Sequence, residues 1–493
     1  MENNNNNNII INNTTNTSNT MTSFQNENNP KPNIINNLNV KEINAKKQVS
    51  ITNKVLNKNV FHIKRNIRYF LFIIEALCQL NLDQGAISVS TKEIKSYFKM
   101  SDRELGSFGG ISFLGTTIGG ITSLSIINKI NRRYLILLFL FSNIFSLYIP
   151  TIISSKILLV LCRIITGFAQ SFMSIYLPVW VDQFGIYSKK SIMMSLIIVP
   201  SGFGYLLGNI STVFTNWRAT FRINVLMCSF YFICFLISKD IYFSKNIIPQ
   251  KMINLENIND SLNKNIADEI SLFEESDNNK ESQNTSIFKH AKICFKSKLF
   301  CFATISLTTL LLILSGIQFW INDFLENAIK IVDKKERLIY FLIIILITII
   351  GAPITSGFIM QKLGGYESKK IIFLPLFCSI FSLLLSNLLF IFSYKIIVSI
   401  LIGGYLFSGC IMISSLNGII LSTIPKEYTG SASSLSNLLY NILGRLVGPY
   451  FYGVIRSFLG ANSKIPMIAL LDIKFITLFS LYNFLKIKRM VKI

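Results

Sequence analysis

From Tyr69 onward the chain repeats one pattern, an apolar stretch followed by a short polar break that usually carries cations. The stretches run about 20 residues, which is what a helix needs to cross a bilayer core roughly 30 Å thick. Roughly twelve are predicted. Six lie at 69–89, 105–127, 134–153, 157–183, 191–213 and 220–238. Six more lie at 299–322, 338–361, 369–393, 395–423, 430–456 and 464–485. The runs are continuous rather than alternating, so they predict helices and not barrel strands. The expected architecture is an all-α membrane protein with two six-helix bundles, over 65–238 and 299–486.

The flanks are different in kind. Residues 1–64 are rich in Asn, with scattered Thr, Ser and Lys, and cannot bury enough apolar area to offset ordering entropy. A disordered cytosolic tail is expected, with the first span doing the targeting because no signal-peptide core is present. Residues 239–298 form a polar cytosolic linker, where Glu274, Glu275, Asp277 and Glu281 face Lys289, Lys292, Lys296 and Lys298. A short surface helix near Ile270–Phe273 is its one candidate element. Residues 487–493 form a basic tail.

Composition supports the membrane reading. Apolar residues make up 51% and charged residues 15%, against about a quarter charged in soluble domains. Mean hydropathy is +0.48. A net charge of +23 raises nucleic acid as a partner, but the cations sit in clusters between spans rather than in one stripe, which excludes it. Those clusters set orientation through the positive-inside rule. Lys64, Arg65 and Arg68, Lys129, Arg132 and Arg133, Lys189 and Lys190, Lys369 and Lys370, and the C-terminal cations share one side. Both termini are therefore expected in the cytosol. One loop, with Lys330, Lys334, Lys335 and Arg337, falls on the other side, accompanied by Glu326, Asp333 and Glu336. Seven of the eight cysteines lie in apolar segments and the two histidines lie in tails or loops, so neither a metal site nor a cofactor is expected.

The halves carry a related landmark. After the second span the chain reads Asn128-Lys129-Ile130-Asn131-Arg132-Arg133, and after the eighth Gln361-Lys362-Leu363-Gly364-Gly365 with Lys369 and Lys370 following. A parallel six-plus-six repeat of this kind resembles the major facilitator fold. Asn81-Leu82-Asp83-Gln84-Gly85 is similar to the Asn-x-Asp-Arg stretch of the spinster-like branch. Arg163-Ile164-Ile165-Thr166-Gly167-Phe168-Ala169-Gln170-Ser171 resembles its Arg-x-x-x-Gly-x-Gly-Glu motif. Pro178, Asp182 and Phe184, the Gly-rich Pro200–Gly208, and Trp217-Arg218 with Arg222 also fall where that branch places such residues. The likeness is densest over about 70–225. It implies export of lysolipids, sphingoid phosphates or related amphiphiles, with protons as coupling ion, from an endolysosomal, vacuolar or plasma membrane. The chain departs from the pattern at Asn128 (usually acidic), Leu124 (usually Gly), Gln84 (Arg) and Gln170 (Glu). Gln cannot titrate, so position 170 offers no proton site.

Charge inside a bilayer costs about 2.5–3.5 kcal/mol on insertion scales, so charges within spans are candidates for function. Glu75, Gln79 and Asp83 recur every four residues on one face of the first helix. Facing a central cavity, they can bind a cation or take up a proton. A packing role for Glu75 near the cytosolic end is the alternative. Arg163 and Arg445 can each hold a phosphate or carboxylate through a charge-assisted fork, although the resemblance also gives Arg163 a pairing role within the fold. Gln318, Trp320, Asn322 and Asp323 form a polar-aromatic cluster, with Trp320 either roofing the cavity or anchoring at the interface. Asn128, Lys129, Arg132, Arg133, Gln361 and Lys362 are gating candidates, since cations bond readily to helix C-terminal carbonyls. Gly115, Gly119, Gly120, Gly202, Gly204 and Gly208 are expected at close helix contacts.

These expectations converge on a secondary transporter of a small amphiphilic or organic-anion solute, lysolipid-like in preference. The rivals are a non-transporting receptor or scaffold on the same fold, or a carrier of a polar metabolite. No nucleophile–base pair, metal cluster or phosphate loop points to an enzyme.

Overall fold

The structure is a computed structural model, which describes residues 70–126, 130–184, 199–238, 291–346, 348, 351–364, 368–425 and 428–490. The Asn-rich tail, residues 239–290 of the linker, Asn128 and Lys129 lie outside them. All the regular elements among the described residues are helical.

The first half contains α1 (Phe70–Val89), the short α2 (Thr91–Tyr97), α3 (Asp102–Ile126), α4 (Arg132–Ile152), α5 (Lys156–Phe184), α6 (Val199–Phe214) and α7 (Trp217–Ile237). The second half contains α8 (Lys298–Asn327), α9 (Lys334–Leu346) and α10 (Ala352–Lys362). It continues through α11 (Phe373–Ile391), α12 (Lys395–Ser422), α13 (Thr429–Leu439), α14 (Val447–Leu459), α15 (Ile465–Asp472) and α16 (Lys474–Met490). Eight of the described segments are long and apolar enough to cross a membrane. The others are shortened by breaks or by polar first turns. A π-helical turn, Tyr440–Arg445, separates α13 from α14.

Small residues set how closely these helices approach. A Cβ on Gly115 would lie 1.9 Å from the Ile164 carbonyl oxygen, and one on Gly167 would lie 1.8 Å from that of Ser112. Facing glycines thus bring α3 and α5 into backbone contact. Gly85, Gly204 and Gly208 do the same for α1 and α6. Van der Waals packing of this kind is what holds helices together where no water is available to drive them. Gly120, by contrast, has ordinary room, at 3.8 Å from Ile175.

The buried apolar side chains form three clusters, and their distribution locates the contact between the halves. One cluster belongs to the first half alone, around Phe139, Phe172, Tyr176 and Trp180. Another belongs to the second half alone, around Phe300, Met412 and Phe484. The third is shared. It takes Ile87, Phe108, Tyr205 and Phe221 from the first half and Ile317, Trp320, Phe341 and Tyr452 from the second. All of these lie toward the end of the bundle that carries α2, hereafter the α2 face. Toward the other end the two halves keep separate cores. Helix pairs that cross between halves include α3 with α14, α1 with α8, and α6 with α9.

Candidate functional site

The first candidate site begins at a break in α1. The Asn81 side chain bonds the Leu77 carbonyl at 2.8 Å, and the helix restarts at Leu82. Asp83 sits in the first turn after the restart, where unpaired N–H groups favour a carboxylate. It is fully buried. Arg163 Nη1 donates to Asp83 Oδ2. Gln170 Nε2 donates to Asp83 Oδ1 at 2.9 Å and also to the Leu80 carbonyl at the break. Arg163 and Gln170 stand two turns apart on α5, so one helix face supplies both donors. A buried ammonium or carboxylate is costly alone and tolerable when paired and hydrogen-bonded. Here the pair fastens α1 to α5.

The network continues across to the second half. Gln84 Nε2 donates to Gln170 Oε1 at 3.3 Å, and Gln318 Nε2 of α8 donates to Gln84 Oε1 at 3.0 Å. One turn on, Ser88 Oγ donates to the Gln318 carbonyl at 2.9 Å, and Tyr205 of α6 donates to the same carbonyl at 2.5 Å. Asn322 Nδ2 reaches Ser88 Oγ at 3.1 Å and Asn209 Oδ1 at 2.9 Å. Gln84, a departure from the spinster-like pattern, is thus the relay between the Asp83 pair and α8.

At the α2 face the halves are joined by charge. Arg456 of α14 holds Asp323 of α8 in a fork, with Nε–Oδ2 2.9 Å and Nη2–Oδ1 3.0 Å. Its third nitrogen, Nη1, pairs with Asp102 in the first turn of α3. Lys95 reaches the same Asp102 oxygen at 2.5 Å. Lys92 pairs with Glu326 at 3.0 Å, Arg337 with Glu326 at 3.1 Å, and Lys334 with Glu93 at 2.5 Å. Two of the cations that looked misplaced for orientation, Lys334 and Arg337, are therefore ion-paired. Tyr97 of α2 bonds Ser154 and lies under the Arg218 guanidinium, and both interactions lower its phenol from the usual value. Between these pairs the backbones touch: a Cβ on Gly110 would lie 2.1 Å from the Leu446 carbonyl oxygen of the second half.

Arg445 is placed otherwise. It closes the π-helical turn before α14, partly exposed. Its guanidinium lies 5.6 Å from the Phe113 ring of α3 and 5.4 Å from the Tyr440 ring. Among the described residues it has no hydrogen bond or ion pair. Asn441, one turn earlier, is buried and bonds Asn437 through Nδ2 at 2.6 Å, leaving Oδ1 without a partner among the described residues. An extra residue in a helix turn pushes side chains out of register, and such turns recur at functional sites.

The remaining candidates scatter. Gln79 is buried near Asp83, whereas Glu75 is exposed and lies by Tyr231 of α7, so the three α1 residues do not share one environment. Trp320 is fully buried, donates Nε1–H to the Pro449 carbonyl at 2.8 Å and stacks on Tyr452 at 4.9 Å, with Arg456 above it. It pins α8 to α14 and is neither a roof over open space nor an interface anchor. Arg133 bonds the Phe235 carbonyl at 3.2 Å and the Leu236 carbonyl, capping α7 within its own half. Arg132 is buried. Gln361 and Lys362 are exposed, with the Lys362 ammonium 4.4 Å above Phe358. Arg456 and Asp102 escaped the sequence reading. Each sits at a span end, where a charge looks like a boundary. The available signal was Asp323 and Arg456, opposite charges at matching depth in spans seven and eleven.

The sequence profile of the Major Facilitator Superfamily matches residues 76–449. The chain belongs to that superfamily. It is accordingly a multi-pass membrane transporter of a small-molecule substrate, not an enzyme. Among curated protein sequences none matches it. Among solved structures it is similar to a bacterial homologue of the human lysosomal transporter Spinster in an inward-facing, occupied conformation. The TM-score is 0.65 at 12% identity, covering 85% of this chain and 96% of that one. The unoccupied form of that homologue gives 0.64 at 11%, covering 85% and 97%. A D-xylose–proton symporter gives 0.61 at 14%, covering 86% and 97%. At such identities the likeness is one of major facilitator fold.

Proposed function

We propose that this superfamily member moves an amphiphilic organic anion, lysolipid-like in preference, by alternating access, with Arg445 as the group that receives the anionic head. The observation that supports this reading is an unpaired guanidinium at the boundary between the halves, flanked by two aromatic rings. A charge with no counter-ion inside a membrane protein is costly, so a ligand that supplies one binds with the cost already met. Its fork matches phosphate or carboxylate, and the rings suit an apolar neighbour.

The conformation agrees with that cycle. With both termini in the cytosol, as the cation clusters argue, the α2 face points outward. A shared core and ion pairs close that face, while separate cores toward the cytosol leave the halves free to part. The protein is then inward-facing, the state named for both Spinster-homologue structures. Asp83 is the proposed coupling residue. Protonating it would release Arg163 and loosen the chain through Gln84 to Gln318. The membrane that houses the protein, endolysosomal, vacuolar or plasma, follows the substrate.

Saturable uptake of labelled lysophospholipids into proteoliposomes tests the reading. Arg445→Ala should abolish it, Arg445→Lys should retain part of it, and both should fold. Undiminished lysolipid transport by Arg445→Ala would remove Arg445 from recognition, and saturable uptake of polar metabolites alone would replace the substrate class.

A further inference from the structure

A second binding feature lies away from the boundary between the halves, on the outer flank of the second half. Helices α9 and α12 enclose a cavity of about 700 Å³, within the roughly 300–1,000 Å³ range of small-molecule sites. It exists because of two local features. Gly403 and Gly404 remove two successive side chains from α12, and a Cβ on Gly403 would meet nothing closer than Ile344 at 3.7 Å. The α-helix also gives way between α9 and α10, where Thr348 and Gly351 are π-helical. Phe407 packs toward Gly351 and closes the inner end.

We infer that this groove holds one acyl chain of a resident zwitterionic phospholipid from the leaflet on the α2 side. Three observations select that occupant. The groove opens onto bilayer: Ile339 of α9, and Ile396 and Ile400 of the spanning α12, on its lips, are 58%, 61% and 65% exposed. Its length fits one leaflet. From Ile396 to Phe407 a helix rises about 16 Å, half of a hydrocarbon core of roughly 30 Å. Its rim carries matched charges, since Lys395 Nζ lies 2.8 Å from Glu336 Oε1, both about 40% exposed at the mouth. A phosphate can join Lys395 and an ammonium can join Glu336 without either protein charge losing a partner. An anionic lipid would meet Glu336 unfavourably. The site is separate from Arg445 and does not depend on the substrate reading.

The test is photo-cross-linking in nanodiscs of phosphatidylcholine bearing a diazirine at the acyl terminus, followed by peptide mapping. Labelling should concentrate on 339–344 and 396–407, above the level on the lipid-facing sides of α4 and α7. Gly403→Leu, which fills the floor, should bring those peptides down to that level without loss of labelling elsewhere. Glu336→Gln keeps the groove open and should abolish the preference for phosphatidylcholine over phosphatidylglycerol. Even labelling of all lipid-facing helices would overturn the inference. So would labelling of 396–407 unchanged by Gly403→Leu, or a head-group preference unchanged by Glu336→Gln. A labelling pattern displaced by lysolipid but not by phosphatidylcholine would assign the groove to substrate instead, and would equally overturn it.

Discussion

Replacing Asp102 with Asn tests the closure of the α2 face with little collateral damage. Asp102 accepts from Arg456 across the boundary between halves and from Lys95 within its own half. The Arg456 fork onto Asp323 stays intact, so no buried charge is stranded. A hydrogen bond to a charged group contributes about 1.5–3 kcal/mol. Asp102 is 16% exposed in its side chain and Arg456 6%, so solvent screening is modest, and about 2 kcal/mol is a fair value. That is a factor of about 30 in the ratio of closed to open. A face shut ~99% of the time would then stand open ~20–25% of the time. Spin labels at Ser96 in α2 and Asn462 after α14, both exposed, read the distance by double electron–electron resonance. A second, longer distance should appear in Asp102→Asn and be absent from the unsubstituted protein. An unchanged distance distribution would refute the idea that this ion pair holds the face shut.

Three further outcomes follow from the same contacts. Gly110→Ala places a Cβ against the Leu446 carbonyl oxygen at a separation that backbone cannot tolerate. It should therefore open the α2 face or melt earlier, by the same labels or by a thermal-shift assay. Arg163→Gln strands a buried Asp83 carboxylate and should cost about 3–5 kcal/mol, whereas the double Asp83→Asn, Arg163→Gln variant should recover much of the melting temperature. Trp320→Phe leaves the Pro449 carbonyl without its donor, a loss of about 1–3 kcal/mol, visible in chemical denaturation and without effect on lysolipid affinity.

Hydropathy made the helices legible because a spanning helix needs a length of apolar chain and little else. The predicted stretch at 395–423 and α12 at Lys395–Ser422 nearly coincide for that reason. Contacts between spans carry no such one-dimensional trace. Arg445 stood out as a charge within a span, but the π-helical turn that aims it leaves no mark on the apolar pattern. Asp83 and Arg163 were each visible, yet their pairing depends on the break at Asn81, which a single Asn does not announce. The even spacing of Glu75, Gln79 and Asp83 assumed an uninterrupted helix, and the restart at Leu82 is one reason the three part company. Ser88, Tyr205 and Asn209 are ordinary residues in a membrane helix. Only the approach of α1, α6 and α8, permitted by Gly85, Gly204 and Gly208, turns them into a bridge between halves.

The central claim is carriage of an amphiphilic anion, and the most direct measurement is lysophospholipid uptake by proteoliposomes with and without an inward proton gradient. The account predicts saturable uptake that responds to the gradient, that Asp83→Asn uncouples from it and that Arg445→Ala abolishes. Lysolipid uptake that is absent, or saturable but unchanged in both variants, would contradict it.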